Sequence, residues 1–332
     1  MRVTSAMMSG SYYRNINRNM GRLNQLSEVC TTGRKFSKAS QDPTNYIKET
    51  FYKKQESRIS NYVSNINTVK SKFECAEGNM QEMNSILKDT GVNLLNALTG
   101  SLNDDNRNTL AEQLRDMQDN LLKTANFQFT ENYIFGGSNT KTPPFSFDKA
   151  TNKLTYNGLD VSDPANLADL QALAGEKVFV DIGFVGADGA VTAENAMNIS
   201  LSALNMLGYG TTTVDGKTID NNVIVLLGDI ANMLESASFD SKELQPYYDT
   251  FQKQQTTLLT SLSDIGSKTK LLENTSERLA DLQISVTQSI ANTSSTDYST
   301  SIMEYKMQEI VCNVSMQLGA SVIPNSLFDF LR

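Results

Sequence analysis

The chain contains no histidine. That removes Ser-His-Asp and Cys-His nucleophile systems, zinc sites of the HExxH type and imidazole acid–base groups. The glycines of Gly136-Gly137 and Gly208-Tyr-Gly210 do not follow a strand and open a helix in a dinucleotide or P-loop pattern, so no phosphate-binding loop is indicated. Asn103-Asp104-Asp105-Asn106 has the acidic density of a calcium loop. It lacks the glycine at position six and the glutamate at position twelve, which leaves helix capping as its expected role. Cys30, Cys75 and Cys312 are odd in number, far apart and without CxxC spacing. They read as small buried or half-buried side chains of a chain made in a reducing compartment. Only ordinary carboxylates such as Asp104 and Asp105 remain for acid–base work. The expectation is a protein that is not an enzyme and has no catalytic residue, no metal site and no cofactor.

Composition points the same way. The 332 residues are 39% hydrophobic and 20% charged, which suits elongated helices with thin cores better than one thick globule. A net charge of −8 argues against nucleic acid as a partner. The charge is uneven, however: residues 1–58 hold eleven Lys or Arg against four acids. Two readings stand for this stretch, a solvated helix face or a basic surface that meets acidic surface on a neighbouring subunit. Met1-Arg-Val-Thr4 leads into polar residues, so no signal peptide is expected, and no apolar run reaches membrane-spanning length.

The elements that would carry any function are long helices. Ile59, Tyr62, Ile66, Val69, Phe73, Ala76, Met80, Met83, Leu87 and Leu94 recur at alternating steps of three and four, with Thr90 holding the one missing position. This spacing predicts a single helix from Pro43 to Leu98, about 85 Å long at about 1.5 Å per residue. Leu258, Leu262, Ile265, Thr269, Leu272, Ser276, Leu279, Val286, Ile290 and Thr293 keep the same rhythm near the other end. Two such seams predict an antiparallel coiled-coil rod, with its seam at Ile66, Val69, Phe73, Met80 and Leu87 against Ile265, Leu272, Leu279 and Val286. Shorter amphipathic helices are expected over Ser9–Thr32, after Asn103–Asn106, over Asn222–Ser236 and from Tyr298 onward. Tyr298, Ile302, Tyr305, Cys312, Met316 and Gly319 form the expected face of the last.

Between Gly136 and Pro246 lie eleven of nineteen glycines and four of six prolines. Alternation at Phe145/Phe147, Leu154/Tyr156 and Val178/Val180/Ile182/Phe184 predicts short strands there, with a turn at Gly186–Gly189 and a helix at Asn166–Ala174. Residues 193–207 are undecided between helix and strand. The expected fold is therefore mainly α with a β-rich insertion: a long antiparallel coiled-coil rod carrying a small α+β head. The expected division is 1–42 with 295–332 as terminal assembly helices, 43–135 with 241–294 as the rod, and 136–240 as the head. One pair of terminal helices would bury only one stripe on each, which is marginal in water. Such ends either fold back on the rod or wait for copies of themselves.

Several stretches resemble the flagellin-like axial proteins of bacterial flagella, in their hook-associated branch. They are Met1-Arg-Val-Thr-Ser-Ala-Met-Met, Leu23-Asn-Gln-Leu26, Thr32-Gly-Arg-Lys35 and Ser40-Gln-Asp-Pro43. They continue with Arg107, Ala111-Glu-Gln-Leu114, Leu121-Leu122, Ala125-Asn126, Tyr133-Ile-Phe-Gly-Gly137 and Pro144-Phe145. Later matches are Leu262-Ser-Asp-Ile-Gly266, Leu279, Asp297 and the closing Asn325-Ser-Leu-Phe-Asp-Phe-Leu331. The opening lacks flagellin's Val-Ile-Asn-Thr-Asn type of start, and Ser37–Pro43 departs from its pattern. Three cysteines are unusual for the family, and 146–240 matches poorly.

The resemblance implies a structural subunit at the hook–filament junction, a ring of identical copies seated on hook-associated protein 1 and accepting flagellin above. It implies export by the flagellar type III apparatus without a cleaved signal, with help from an export chaperone, and neither nucleic acid nor membrane as partner. The subunit interface is expected at Ile16, Leu23 and Leu26 against Ile302, Met316, Leu318, Leu327, Phe328 and Leu331. The rival readings are a flagellin, and a cytoplasmic coiled-coil adaptor.

Overall fold

The computed structural model describes residues 5–99, 103–184, 195–214, 216–236 and 239–322. Helix α1 (Ser5–Thr32) is followed by α2 (Pro43–Leu98) and α3 (Asp104–Ala125). Strands β1 (Gln128–Phe129), β2 (Asn132–Tyr133), β3 (Phe145–Asp148), β4 (Lys153–Tyr156) and β5 (Leu159–Asp160) come next. A 3₁₀ turn at Pro164–Asn166 leads into α4 (Leu167–Ala174), then β6 (Phe179–Val180), β7 (Met197–Asn198) and the single-turn α5 (Leu204–Leu207). Strands β8 (Thr211–Val214) and β9 (Lys217–Asp220), then α6 (Val223–Glu235), α7 (Ser241–Ser294) and α8 (Tyr298–Val322) complete the order. The protein is mainly α with a β-rich insertion, as the sequence predicts. Among the described residues its strands form four small antiparallel sheets, β1–β2, β3–β4–β5, β6–β7 and β8–β9.

The chain divides into two compact units: unit 1 is Met1–Ile59 with Ala280–Arg332, and unit 2 is Ser60–Leu279. Helices α2 and α7 contribute to both.

In unit 2 the α2 seam is fully enclosed at Ile66, Phe73, Ala76, Met80, Met83, Leu87 and Leu94. Helix α7 answers with Phe251, Leu258, Ile265, Leu272 and Leu279, buried at every seventh residue. The two run antiparallel: Lys70 pairs with Glu273 at 3.1 Å, and Phe251 lies against Gly91. Thr90 costs the seam little, because its hydroxyl donates to Ile86 O at 2.8 Å and lies 3.0 Å from Met117 Sδ. Helix α7 starts at Ser241 rather than past Pro246, since the Asp240 carboxylate accepts from Lys242 N and caps it.

Helix α3 is capped by the Asn103 side chain, which accepts from Asn106 N, the role expected of that turn. It packs on α6, where Arg115 binds Glu235 at 2.9 Å. Phe145 pairs with Tyr156 across β3 and β4, rings edge-on at 5.2 Å. The Tyr133–Gly137 motif is core: Ile134 and Phe135 are buried, and Phe135 O accepts from Tyr156 OH and Ala203 N. The insertion holds more strands than alternation reveals, with the β8–β9 hairpin entirely missed. Conversely, only Phe179–Val180 of the 178–184 stretch is strand. Residues 195–207 hold both β7 and α5, and the expected turn at 186–189 lies outside the described residues.

A polar network joins three pieces of unit 2, α3, the β3–β4 turn and α6. Gln118 donates to Ile224 O and Asn152 Oδ1, and Asn152 donates to Val225 O and to the Asp229 carboxylate at 2.8 Å. Gly228 makes the approach possible, since a Cβ there would lie 2.1 Å from Asn152 Oδ1. Burial, and then the charge of neighbouring Asp220, push the Asp229 carboxyl up to about 6.

Candidate assembly interface

Unit 1 is built around α1 and α8, which come from opposite ends of the chain. Tyr12 OH donates to Ser315 O at 3.1 Å, Asn19 to Ser315 Oγ, and Gln308 to Asn19 O. The helices therefore run antiparallel. Gly319 is required where it stands, because an added Cβ would meet the Tyr12 hydroxyl. On α1 the side facing α8 carries Tyr12, Ile16, Asn19, Leu23, Leu26 and Cys30, all half-buried. On α8 the inward stripe is Ser301, Tyr305, Gln308, Cys312, Ser315 and Gly319.

That stripe is mostly small or polar. The apolar residues of α8 point the other way: Ile302, Met303, Met307, Ile310, Val311, Val314, Met316 and Leu318 are all exposed. Spacing predicts Tyr298, Ile302 and Met316 on one face with Cys312. The structure keeps Tyr305, Cys312 and Gly319 inward and leaves those three exposed. The cause is legible after the fact. Helix α8 has apolar side chains nearly all round, so period alone does not choose the buried face, and Tyr12 and Asn19 select the one that hydrogen-bonds. Helix α1 adds Met7, Met8, Tyr13 and Met20 to the exposed apolar surface.

Of the expected interface residues, Ile16 and Leu23 line a cavity of about 180 Å³ with Cys312 and Met316. Leu26 lines a second cleft of about 570 Å³ with Arg18, Arg22, Lys35, Ser301 and Glu304. Ile302, Met316 and Leu318 are exposed on α8, and Leu327, Phe328 and Leu331 lie outside the described residues. Of the seam residues, Ile66, Val69, Phe73, Met80, Leu87, Ile265, Leu272 and Leu279 are buried in unit 2, and Val286 is buried in unit 1.

The loop after α1 is clamped by backbone and charge. Lys35 N donates to Ser294 O at 2.7 Å and Thr296 N to Gly33 O at 2.9 Å, around a bridge between Arg34 and Ser295. Arg34 reaches both oxygens of Glu49, at 2.6 and 2.8 Å, and Lys53 adds a third contact at 2.8 Å. Glu49 is buried. Burial raises its carboxyl pKa, but the hydrogen bonds and charges of Lys53 and Arg34 outweigh that and hold it below the usual value. Sequence reasoning missed this clamp; the acid lies fifteen residues beyond its arginine, on another element.

No group of three or more His, Cys, Asp or Glu among the described residues is placed to hold a metal. No helix among them is long and apolar enough to cross a membrane. What the geometry offers is surface: α8 meets α1 through its small and polar side and leaves aliphatic and thioether side chains facing out.

Residues 3–140 match the bacterial flagellin N-terminal helical region, a stretch that holds most of the first two sets of motifs named above. Along its whole length it is 22% identical to flagellar hook-associated protein 3 of Escherichia coli, with both chains fully covered. Its fold is shared with a putative flagellar hook-associated protein from Vibrio parahaemolyticus (TM-score 0.60, 19% identity, 77% of this chain and 100% of that one). It is shared too with the flagellar junction protein FlgL from Legionella pneumophila (TM-score 0.55, 14% identity, 75% and 100%).

Proposed function

We infer that this chain is a structural subunit of the bacterial flagellum that forms the hook–filament junction. The observation that carries the reading is the inverted helix α8, which spends its polar face on α1 and leaves its apolar face bare. Full-length similarity to hook-associated protein 3 supports the junction over the filament itself. A monomer gains nothing from such a face, because apolar surface in water is unfavourable by about 25 cal/mol per Å². Copies that stack α1 and α8 against one another cover it.

On this reading the terminal segments 1–42 and 295–332 are assembly helices, 43–135 with 241–294 the helical support, and 136–240 an inserted head. Ile302, Met316, Leu318, Leu327, Phe328 and Leu331 form the contact between copies, and Ile16, Leu23 and Leu26, which face α8 within the chain, support it from behind. The ring sits on hook-associated protein 1 and receives flagellin. The chain leaves the cell through the flagellar export apparatus, escorted by a chaperone and without cleavage, and it catalyses no reaction.

The test is incorporation. In cells lacking the chain, filaments should fail to attach to hooks, and the wild-type gene should restore them. Ile310→Asp alters a side chain 62% exposed in the free chain, so the purified variant should melt like wild type yet be absent from isolated hook–basal bodies. Normal incorporation of that variant would overturn the assigned interface. Growth of long filaments by the purified chain alone would make it a flagellin instead.

A further inference from the structure

The thirteen methionines sort by unit. Met1 lies outside the described residues. The six in unit 2 are all buried or half-buried, with Met80 and Met83 fully enclosed. The six in unit 1, Met7, Met8, Met20, Met303, Met307 and Met316, lie only on α1 and α8, and their exposure runs from 47% to 65%. No methionine of unit 2 is that accessible, and each methionine described in unit 1 is.

The thioether suits an adaptable contact, being unbranched, polarizable and tolerant of irregular surfaces. It also carries a liability, since oxidation turns an apolar side chain into a polar one and disrupts methionine-rich interfaces. We propose that these six methionines are an oxidation-sensitive modification site of the free subunit, at which a peroxide disables assembly. A sulfur lone pair attacks one peroxide oxygen, the O–O bond breaks, an S–O bond forms, and water leaves. Sulfur loses two electrons and the peroxide gains them. Six sulfoxides then face outward where apolar contact is required, while the core methionines and the fold of unit 2 are untouched. Once copies have joined, the same sulfurs are covered, so assembly itself confers resistance. This inference rests on the assembly reading above.

The experiment treats the purified full-length chain with hydrogen peroxide and follows each methionine by peptide mass spectrometry. The six should oxidise at least about tenfold faster than Met80 and Met83. The oxidised chain should keep its circular dichroism and melting profile, yet incorporate into hooks about tenfold less than untreated chain. A variant with all six changed to Leu, a volume-conserving swap, should incorporate and keep doing so after peroxide. Equal oxidation rates in the two units would overturn the proposal, as would undiminished incorporation of the oxidised wild type. Equal loss in the Leu variant would place the damage elsewhere, at Cys30, Cys75 or Cys312, and also overturn it. Failure of untreated wild type to incorporate would count against the assembly reading instead, and the oxidation rates would still decide whether this surface is selectively modified.

Discussion

Unit 2 and unit 1 both draw on the long helices α2 and α7, yet they treat apolar side chains in opposite ways. In unit 2 the α2 and α7 seams close over one another and over the insertion, and the large hydrophobics that stay exposed number eight among the described residues. In unit 1 the buried hydrophobics are Phe36, Ile59, Val286 and Cys312, against eighteen large ones exposed. What keeps unit 1 in shape is polar: the Tyr12–Ser315 and Gln308–Asn19 bonds, the strand-like bridge at Arg34, and Glu49 between two cations. Helical periodicity is thus no measure of self-sufficiency. One region spends its stripe on itself, and the other holds it in reserve.

The largest break in this contrast should come from truncating matched side chains. Phe73→Ala empties a fully enclosed site in unit 2 and should cost about 3–5 kcal/mol in chemical denaturation. Ile310→Ala in unit 1 should fall within about 0.5 kcal/mol. A comparable loss at both sites would mean that unit 1 has a core of its own.

Next in size is Glu49→Gln. It leaves Arg34 and Lys53 without their carboxylate, and unit 1 should lose about 1–3 kcal/mol, read from the first melting transition. The folded pKa of Glu49 lies below its unfolded value. Its contribution is therefore present above the ordinary glutamate pKa of 4.5 and lost as pH falls through the depressed folded one.

Asp229 has the reverse sign. Its folded pKa of about 6 exceeds the ordinary 3.8, so its contribution is complete below pH 3.8 and lost as pH rises through about 6. Asp229→Asn should raise the stability of unit 2 at pH 7.5 on the order of 1–2 kcal/mol and leave it nearly unchanged at pH 4. Falling pH thus first relieves the carboxylate strain of unit 2, through about 6, and weakens the Glu49 clamp of unit 1 only below 4.5. Two transitions that drift together with pH would count against this. The smallest effect is kinetic: amides of α1 and α8 should exchange faster than those of α2 at Phe73–Leu87 in the free chain. Inside hook–basal bodies the difference should vanish.

The long helices were legible because a seven-residue repeat has only one regular solution, and α7 keeps it strictly from Phe251 to Leu279. The cap at Asn103 and the strands around Phe145 and Tyr156 were legible by local rules, capping chemistry and alternation, whereas the pairing of those two residues across β3 and β4 was not. The β8–β9 hairpin was not. Thr211–Val214 shows little alternation, and Ile219 is the buried hydrophobic of β9. Nor was β1–β2 visible, whose turn places Thr130 and Glu131 at positive φ where Asn and Gly are the usual signal. In the α1–α8 pair, spacing found the helices, but the face it marked on the last one is split, with Tyr305, Cys312 and Gly319 inward and Tyr298, Ile302 and Met316 exposed. Partner choice there is made by Tyr12, Asn19 and Ser315, three polar residues invisible to hydropathy.

The Tyr12–Ser315 bond joins residues 303 positions apart. Pairing of α1 with α8 is therefore the longest loop closure described in the chain, though each doubling of loop length adds only about 0.6 kcal/mol of entropic cost. Its real demand is completeness. A chain cut anywhere before Tyr298 can still fold its local helices, but it has nothing to lay beside α1. If α1 and α8 form the contact between copies, that contact is complete only once the two have paired, and a chain that lacks either helix is excluded from use.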